Sequence, residues 1–264
     1  MVASPGFMGY ASVDGNSLMC TNFNVNVKQE ALFYDHTCGK IEAPDYQNTL
    51  MRQGTRIVQG GLSFIFTDSS GDGGYTSACN GDDVSVSLNY GCTAGKRSYK
   101  ECKISSYTFR ASAGEYANGS MEVIGKAIDT TNAIAPSGSN RIITWDEISV
   151  LGYDGSSGDI FSIEFTITNP CIPIYTQGSN RRPPPDDLFP KEIRLGIQKL
   201  SGTIGVYASG GGAQQVSIDP TTLTINCGDS TFRLKVLFLP TEIAGSVGPV
   251  IEQVRFVGAD ENAS

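Results

Sequence analysis

The chain has 264 residues, 31 of them glycine, and only 17% are charged, which leaves little material for amphipathic helices and predicts a mainly β protein. With 27 acidic against 19 basic residues the net charge is −8, which argues against a surface that grips nucleic-acid phosphates. No stretch approaches the roughly 20 apolar residues that cross a bilayer, and the opening MVASPGFMGYASVDG has neither a basic start nor an apolar run, so a soluble chain without secretory signal or membrane binding is expected.

In chain order the first alternating run is TNFNVNVKQEA (21–31), where apolar and polar residues switch with the period of a half-buried strand. It leads through LFYDHTCG and an irregular stretch around Pro44 to RIVQGGLSFIF (56–66). SGDGG (70–74) and NGDD (80–83) read as turns. Neither has the spacing or the closing glutamate of a calcium loop, and no metal or other cofactor is expected. Strands follow at VSVSLNY (84–90), SSYTFRASA (105–113) and GSMEVIGKAID (119–129). DTTNAIAPSGSN (129–140) then interrupts the pattern with proline and glycine, as a boundary does.

Beyond it, RIITWDEISVLGYDG opens a second series: FSIEFTITNPC (161–171), IPIYTQGS, the proline-rich GSNRRPPPDDLFP (178–190), EIRLGIQKLSGTIGVY (192–207), TLTIN (222–226), STFRLKVLFLP (230–240) and EQVRFVGAD (252–260). The order of elements repeats. Gly61 ahead of Phe66 matches Gly202 ahead of Tyr207, and Gly125 matches Gly258, each after an apolar run. The expected organisation is two tandem units, 1–132 and 133–264, each large enough for its own β-barrel or sandwich.

Chemical signatures are sparse. His36 is the single histidine, and beside Asp35 and Cys38 it lacks a third partner for nucleophilic or metal chemistry. The pairs Asp82-Asp83, Asp146-Glu147 and Asp186-Asp187 read as solvated turns, so no catalytic residues and no enzyme are expected. Seven cysteines at irregular spacing form no zinc framework. Cys79, Cys92 and Cys102 cluster in a loop-rich region where one bridge is conceivable only in an oxidising compartment.

Taken together, ITWDEISV, FSIEFTITNPCIPIYT, a long polar loop and PKEIRLGIQKLSGTIGVYA resemble phage tail-tube proteins, and LMCTNFNVNVKQEALFYDHTCG through GGLSFIF resembles a more diverged copy of the same unit. The resemblance implies a structural virion protein with no cofactor, assembled in the host cytoplasm. Its small β units, often with one short flanking helix, would join into stacked rings around a channel for DNA. Single-unit members form hexamers, so a tandem pair implies trimers with pseudo-sixfold symmetry. Implied partners are further copies of the chain and other tail proteins such as tape measure, terminator, baseplate or sheath, with transient passage of DNA. An acidic channel lining would let phosphate pass without adhering.

Candidate interface residues are Phe33 and Tyr34 after the first strand, Ile174 and Tyr175 at the matching place in the second unit, and Arg181, Arg182, Leu188 and Phe189 on the preordered proline arm. Packing of the aromatics within their own unit is the competing expectation. The alternatives for the whole chain are a baseplate hub or tube initiator of the same fold and, from another class, a β-sandwich decoration or carbohydrate-binding module.

Overall fold

Period-two alternation becomes strand almost wherever the sequence shows it, in a computed structural model that describes residues 9–33, 51–89, 96–129, 141–153, 160–175, 188–207, 219–239, 242–244 and 251–258. The first half contains β1 (Gly9–Val13), β2 (Asn16–Phe23), β3 (Asn26–Phe33), β4 (Met51–Ile65), α1 (Tyr75–Asn80), β5 (Val84–Asn89), β6 (Lys96–Ser112) and β7 (Asn118–Asp129). The second half contains a 3-10 turn (Trp145–Glu147), β8 (Ile148–Leu151), β9 (Ile160–Thr168), β10 (Cys171–Ile174), β11 (Glu192–Leu195), β12 (Lys199–Tyr207), β13 (Thr221–Cys227), β14 (Ser230–Phe238), β15 (Glu242–Ala244) and β16 (Ile251–Gly258).

All pairings are antiparallel. In the first half β1 pairs β5, β5 pairs β6, β6 pairs β7 and β7 pairs β4, while β2 joins β4 back to β1. The six strands therefore close on themselves, which removes their edges. In the second half β8 pairs β13, β13 pairs β14, β14 pairs β16, β16 pairs β12 and β12 pairs β9. Counting β2 and β3 as one interrupted strand along β4, both halves visit their strands in the same order along the chain and along the sheet.

The irregularities repeat too. β2 carries an extra residue, Thr21, between the pairs Cys20–Phe64 and Asn22–Ser63, and β9 carries Phe161 between Ile160–Val206 and Ser162–Gly205. A Cβ on Gly60 would lie 2.5 Å from the Asn24 carbonyl oxygen, and one on Gly202 would lie 2.5 Å from that of Glu164. The partner in step with Gly202 is thus Gly60. The sequence match to Gly61 slips by one residue, which in a strand exchanges the two faces.

Two cores, one per half, are not what forms. β6 is long enough to pair β5 through its first part and, through Ser106–Ser112, to pair β9 of the other half, so one sheet runs through both. Below this seam the buried side chains make a continuous cluster in which Phe66, Tyr75 and Phe109 meet Phe165 and Phe232. The helix α1 plugs the same place. Asp72 accepts hydrogen bonds from the Gly74 and Thr76 N–H groups at its start, and the Tyr75 hydroxyl donates to the Arg233 carbonyl at 2.6 Å. Buried Asn169 donates to the carbonyls of Ala78 and Ile104, at 2.7 and 3.0 Å, so the polar ends inside the seam are satisfied.

Cys79 and Cys102 are free thiols, as are Cys20, Cys171 and Cys227; Cys38 and Cys92 lie outside the described residues. Burial pushes Cys20, Cys102 and Cys227 up to about 12, with the carboxylates of Asp83, Asp14 and Glu101 adding to the effect at Cys102 and that of Glu147 at Cys227. The native state then holds protons that the unfolded chain releases above its ordinary thiol value. Stability from these groups is complete below about pH 9 and declines between about pH 9 and 12, by up to ~1.4 kcal/mol per pH unit for each thiol. Denaturant midpoints measured across that range should fall accordingly, and the three thiols should resist alkylation at pH 8 until the chain is unfolded.

Candidate functional site

The seam gives the sheet a long, continuous face opposite the core. Strands β4, β7, β6, β9, β12 and β16 follow one another across it, and on each the residues between buried positions point away from the apolar cluster. From β4 come Gly61 and Ser63, from β7 Ser120 and Glu122, and from β6 Thr108 and Arg110, alternating with buried Leu62, Met121 and Phe109. From β9 come Ser162, Glu164 and Thr166, from β12 Thr203, and from β16 Gln253 and Arg255, alternating with buried Ile163, Phe165, Ile204, Val254 and Phe256; Gly205, next on β12, is itself buried beneath the Phe161 ring.

Small hydroxyl-bearing and glycine residues dominate this band because β-branched Thr and compact Ser suit a pleated surface with one wet face. Thr108 and Thr166 meet across the seam with their hydroxyl oxygens 3.0 Å apart. Arg110 stands opposite Glu164, Thr203 lies between Glu164 and Arg255, and Glu122 flanks Gly61 and Ser106. The charged side chains at these positions are Glu122, Glu164, Arg110 and Arg255, all exposed; farther along the same strands the outward positions also carry Lys103, Lys126 and Lys199. Two shallow depressions follow from the missing side chains: one over Asn24, Gly61, Ser63 and Glu122, the other over Glu164, Gly202, Thr203 and Arg255.

The sequence-derived interface residues fall elsewhere. Phe33 ends β3 opposite Met51, on a different sheet from Ile174; Tyr34, Arg181 and Arg182 lie outside the described residues. Ile174 is half-buried opposite Glu192 in the β10–β11 hairpin, and exposed Tyr175 donates its hydroxyl to the Arg56 carbonyl at 3.3 Å, tying that hairpin to β4. Leu188, half-buried, and Phe189, buried in the core of its own chain, precede β11. Four of the eight thus gather at the base of one hairpin. The polar face was missed, although its signal is present: the alternate positions of FSIEFTIT are Ser162, Glu164, Thr166 and Thr168.

The chemical candidates resolve into local structure. Asp83 pairs with Lys103 at 3.0 Å, and Asp82 accepts from Asn80. Glu147 closes a capping box with Thr144 and receives Arg141, which also reaches Asp68. The Thr144 hydroxyl donates to Asp146 and holds its carboxyl below the usual range. His36 lies outside the described residues. Among the described residues no group of three or more His, Cys, Asp or Glu side chains could hold a metal ion, and no helix is long and apolar enough to cross a membrane.

Comparison with curated proteins gives no match. The family model of phage tail tube proteins matches residues 4–257, nearly the whole chain and both series of strands. That family is structural, self-assembling and part of the virion tail. The chain belongs to the phage tail tube protein family.

Proposed function

We propose that this chain is the major subunit of a tail tube, and that three copies form a ring of six quasi-equivalent units whose stacked rings enclose the DNA channel. The observation that carries the reading is the repeated strand order and repeated bulge, which support taking residues 1–132 and 133–264 as two copies of one stave. Each copy offers four neighbouring strands to the continuous face: β2–β3, β4, β7 and β6 from the first, and β9, β12, β16 and β14–β15 from the second. Three chains would close a barrel of roughly 24 strands, wide enough to stay hollow.

In this reading the small polar face lines the channel. Near the seam its charges are Glu122, Glu164, Arg110 and Arg255, a mixture where the net charge had suggested an acidic wall. Phosphate then slides past short hydroxyls, and Arg110 has Glu164 opposite it on the neighbouring strand to limit adhesion. Ring formation also suits the sheet, because an edge that pairs with a neighbour ceases to be an exposed template.

Electron microscopy of the concentrated protein tests the proposal. Hollow rings with three chains, six density lobes and stacking into tubes are expected. A protein that stays monomeric at high concentration would remove the tube role.

A further inference from the structure

The seam between the two halves is a unit-to-unit junction already built, and its geometry defines the junction that a ring would need between chains. In the seam, Ser106–Ser112 of β6 pair antiparallel with Thr168–Ser162 of β9, with Thr108 opposite Thr166 and Arg110 opposite Glu164. β9 meets β6 on one edge while its other edge pairs β12.

Both participants have a counterpart at the far sides of the chain. The second half's equivalent of β6 is β14 continued by β15. β14 follows β16 from Val236–Gly258 to Phe238–Phe256, and β15 resumes from Glu242–Gln253 to Ala244–Ile251 after a shift of one residue. β6 shows the same one-residue shift along β7, between Ile104 and Ser106. Gly125 on β7 and Gly258 on β16 are in step, packed against Val58 and Leu200, so Thr108 corresponds to Glu242 and Arg110 to Ala244.

The first half's equivalent of β9 is the interrupted strand β2–β3. The shared bulge sets Asn24 in step with Glu164 and Asn26 in step with Thr166. Among the described strands, β3 pairs only β4 and β15 pairs only β16, so both counterpart edges of the seam lack a described neighbour; the outer edge of β8, which pairs only β13, is a third such edge in this sheet but is not a counterpart of either seam strand. The Asn24 N–H donates to the Gly61 carbonyl, which directs even-numbered residues of this stretch at β4 and leaves the backbone of Val27 directed outward. Val25 takes a smaller part, because it is buried and its carbonyl already accepts the Tyr99 hydroxyl at 3.1 Å.

We infer that neighbouring chains join by repeating the internal seam: β15 of one copy adds antiparallel to the β3 edge of the next, with Glu242 opposite Asn26 and Ala244 opposite Asn24. The occupant of each edge is a second copy of this chain, and the inference rests on the ring reading above. It specifies which edges meet and in which register. A one-residue slip would turn the polar band of one copy onto the apolar face of the next, so the register is not free.

Both named pairs are of the kind without mutual backbone hydrogen bonds, whose side chains approach closely enough for a disulfide. The test uses the full chain in assembled form. Glu242→Cys with Asn26→Cys, and separately Ala244→Cys with Asn24→Cys, should give covalently closed trimers on mild oxidation, read on a non-reducing gel. Glu242→Cys with Lys28→Cys, two residues out of register, should link about 10-fold less. Wild type and the single variants supply the baseline for the native thiols. Hydrogen exchange on wild type should show the Val27 and Ile243 amides slowing on assembly, whether or not the cysteine variants assemble. Rings that form with unchanged exchange at both amides, or that cross-link best out of register, overturn the junction while sparing the ring. Wild-type protein that forms no rings overturns the ring and the junction with it.

Discussion

Replacing Phe232 with alanine should destabilise the chain by about 3–5 kcal/mol, the cost of emptying a closely packed aromatic site. The ring is fully buried and belongs to the second half, yet it packs against Phe66, Tyr75 and Phe109 of the first at centroid distances of 5.9, 5.0 and 4.9 Å, and against Phe165 at 5.7 Å. Because it closes the cluster beneath the seam, its loss should loosen one half from the other as well as lower the melting temperature by roughly 10 °C. Phe161→Ala is the contrast. That half-buried ring lies 4.8 Å from exposed Tyr207 on the other side of the sheet and should cost about 1 kcal/mol. Thermal unfolding followed by circular dichroism separates the two. A Phe232→Ala chain that melts within a degree of wild type would show that the shared cluster does not hold the halves together.

The second large effect concerns two glycines. Gly60→Ala and Gly202→Ala should each cost about 3 kcal/mol, while Gly61→Ala, beside Gly60, should cost less than about 1. A Cβ on Gly60 would press on the Asn24 carbonyl and the Val25 Cα, both backbone and unable to rotate away. On Gly202 it would meet the Glu164 carbonyl at 2.5 Å and also the Phe256 ring. On Gly61 the nearest atom, the Met121 carbonyl oxygen, is 3.4 Å away, an ordinary contact. Urea denaturation of the three variants decides which glycine holds the repeated place. Equal losses at Gly60 and Gly61 would restore the register suggested by the sequence.

Among the elements, β5, β9, β13 and β14 were legible to within a few residues, because VSVSLNY, FSIEFTIT, TLTIN and RLKVLFL alternate between faces and that period is set by local backbone geometry. NFNVNV was less so: the strand breaks at Asn24-Val25, where Gly60 admits the close approach of the backbone. The six-residue helix α1 lies between the two stretches read as turns and was not predicted, since fewer than two turns of helix show no period. Its glycines at positive φ, Gly73, Gly74 and Gly81, are also turn signals taken alone.

The sequence by itself determined the β class, the tail-tube family, the repeated order of elements and the alternate positions from which the polar face is made, because each depends on residue type and on spacings of a few residues. Only the tertiary structure decided that the halves share one core through β6 and β9, that Gly60 stands in step with Gly202, that Phe189 is spent inside its own chain, and that Arg110 faces Glu164 across the seam. These are matters of register between segments tens of residues apart. A strand's own residues state which of them share a face, but the neighbour that a strand edge meets is chosen by the packing of the whole sheet.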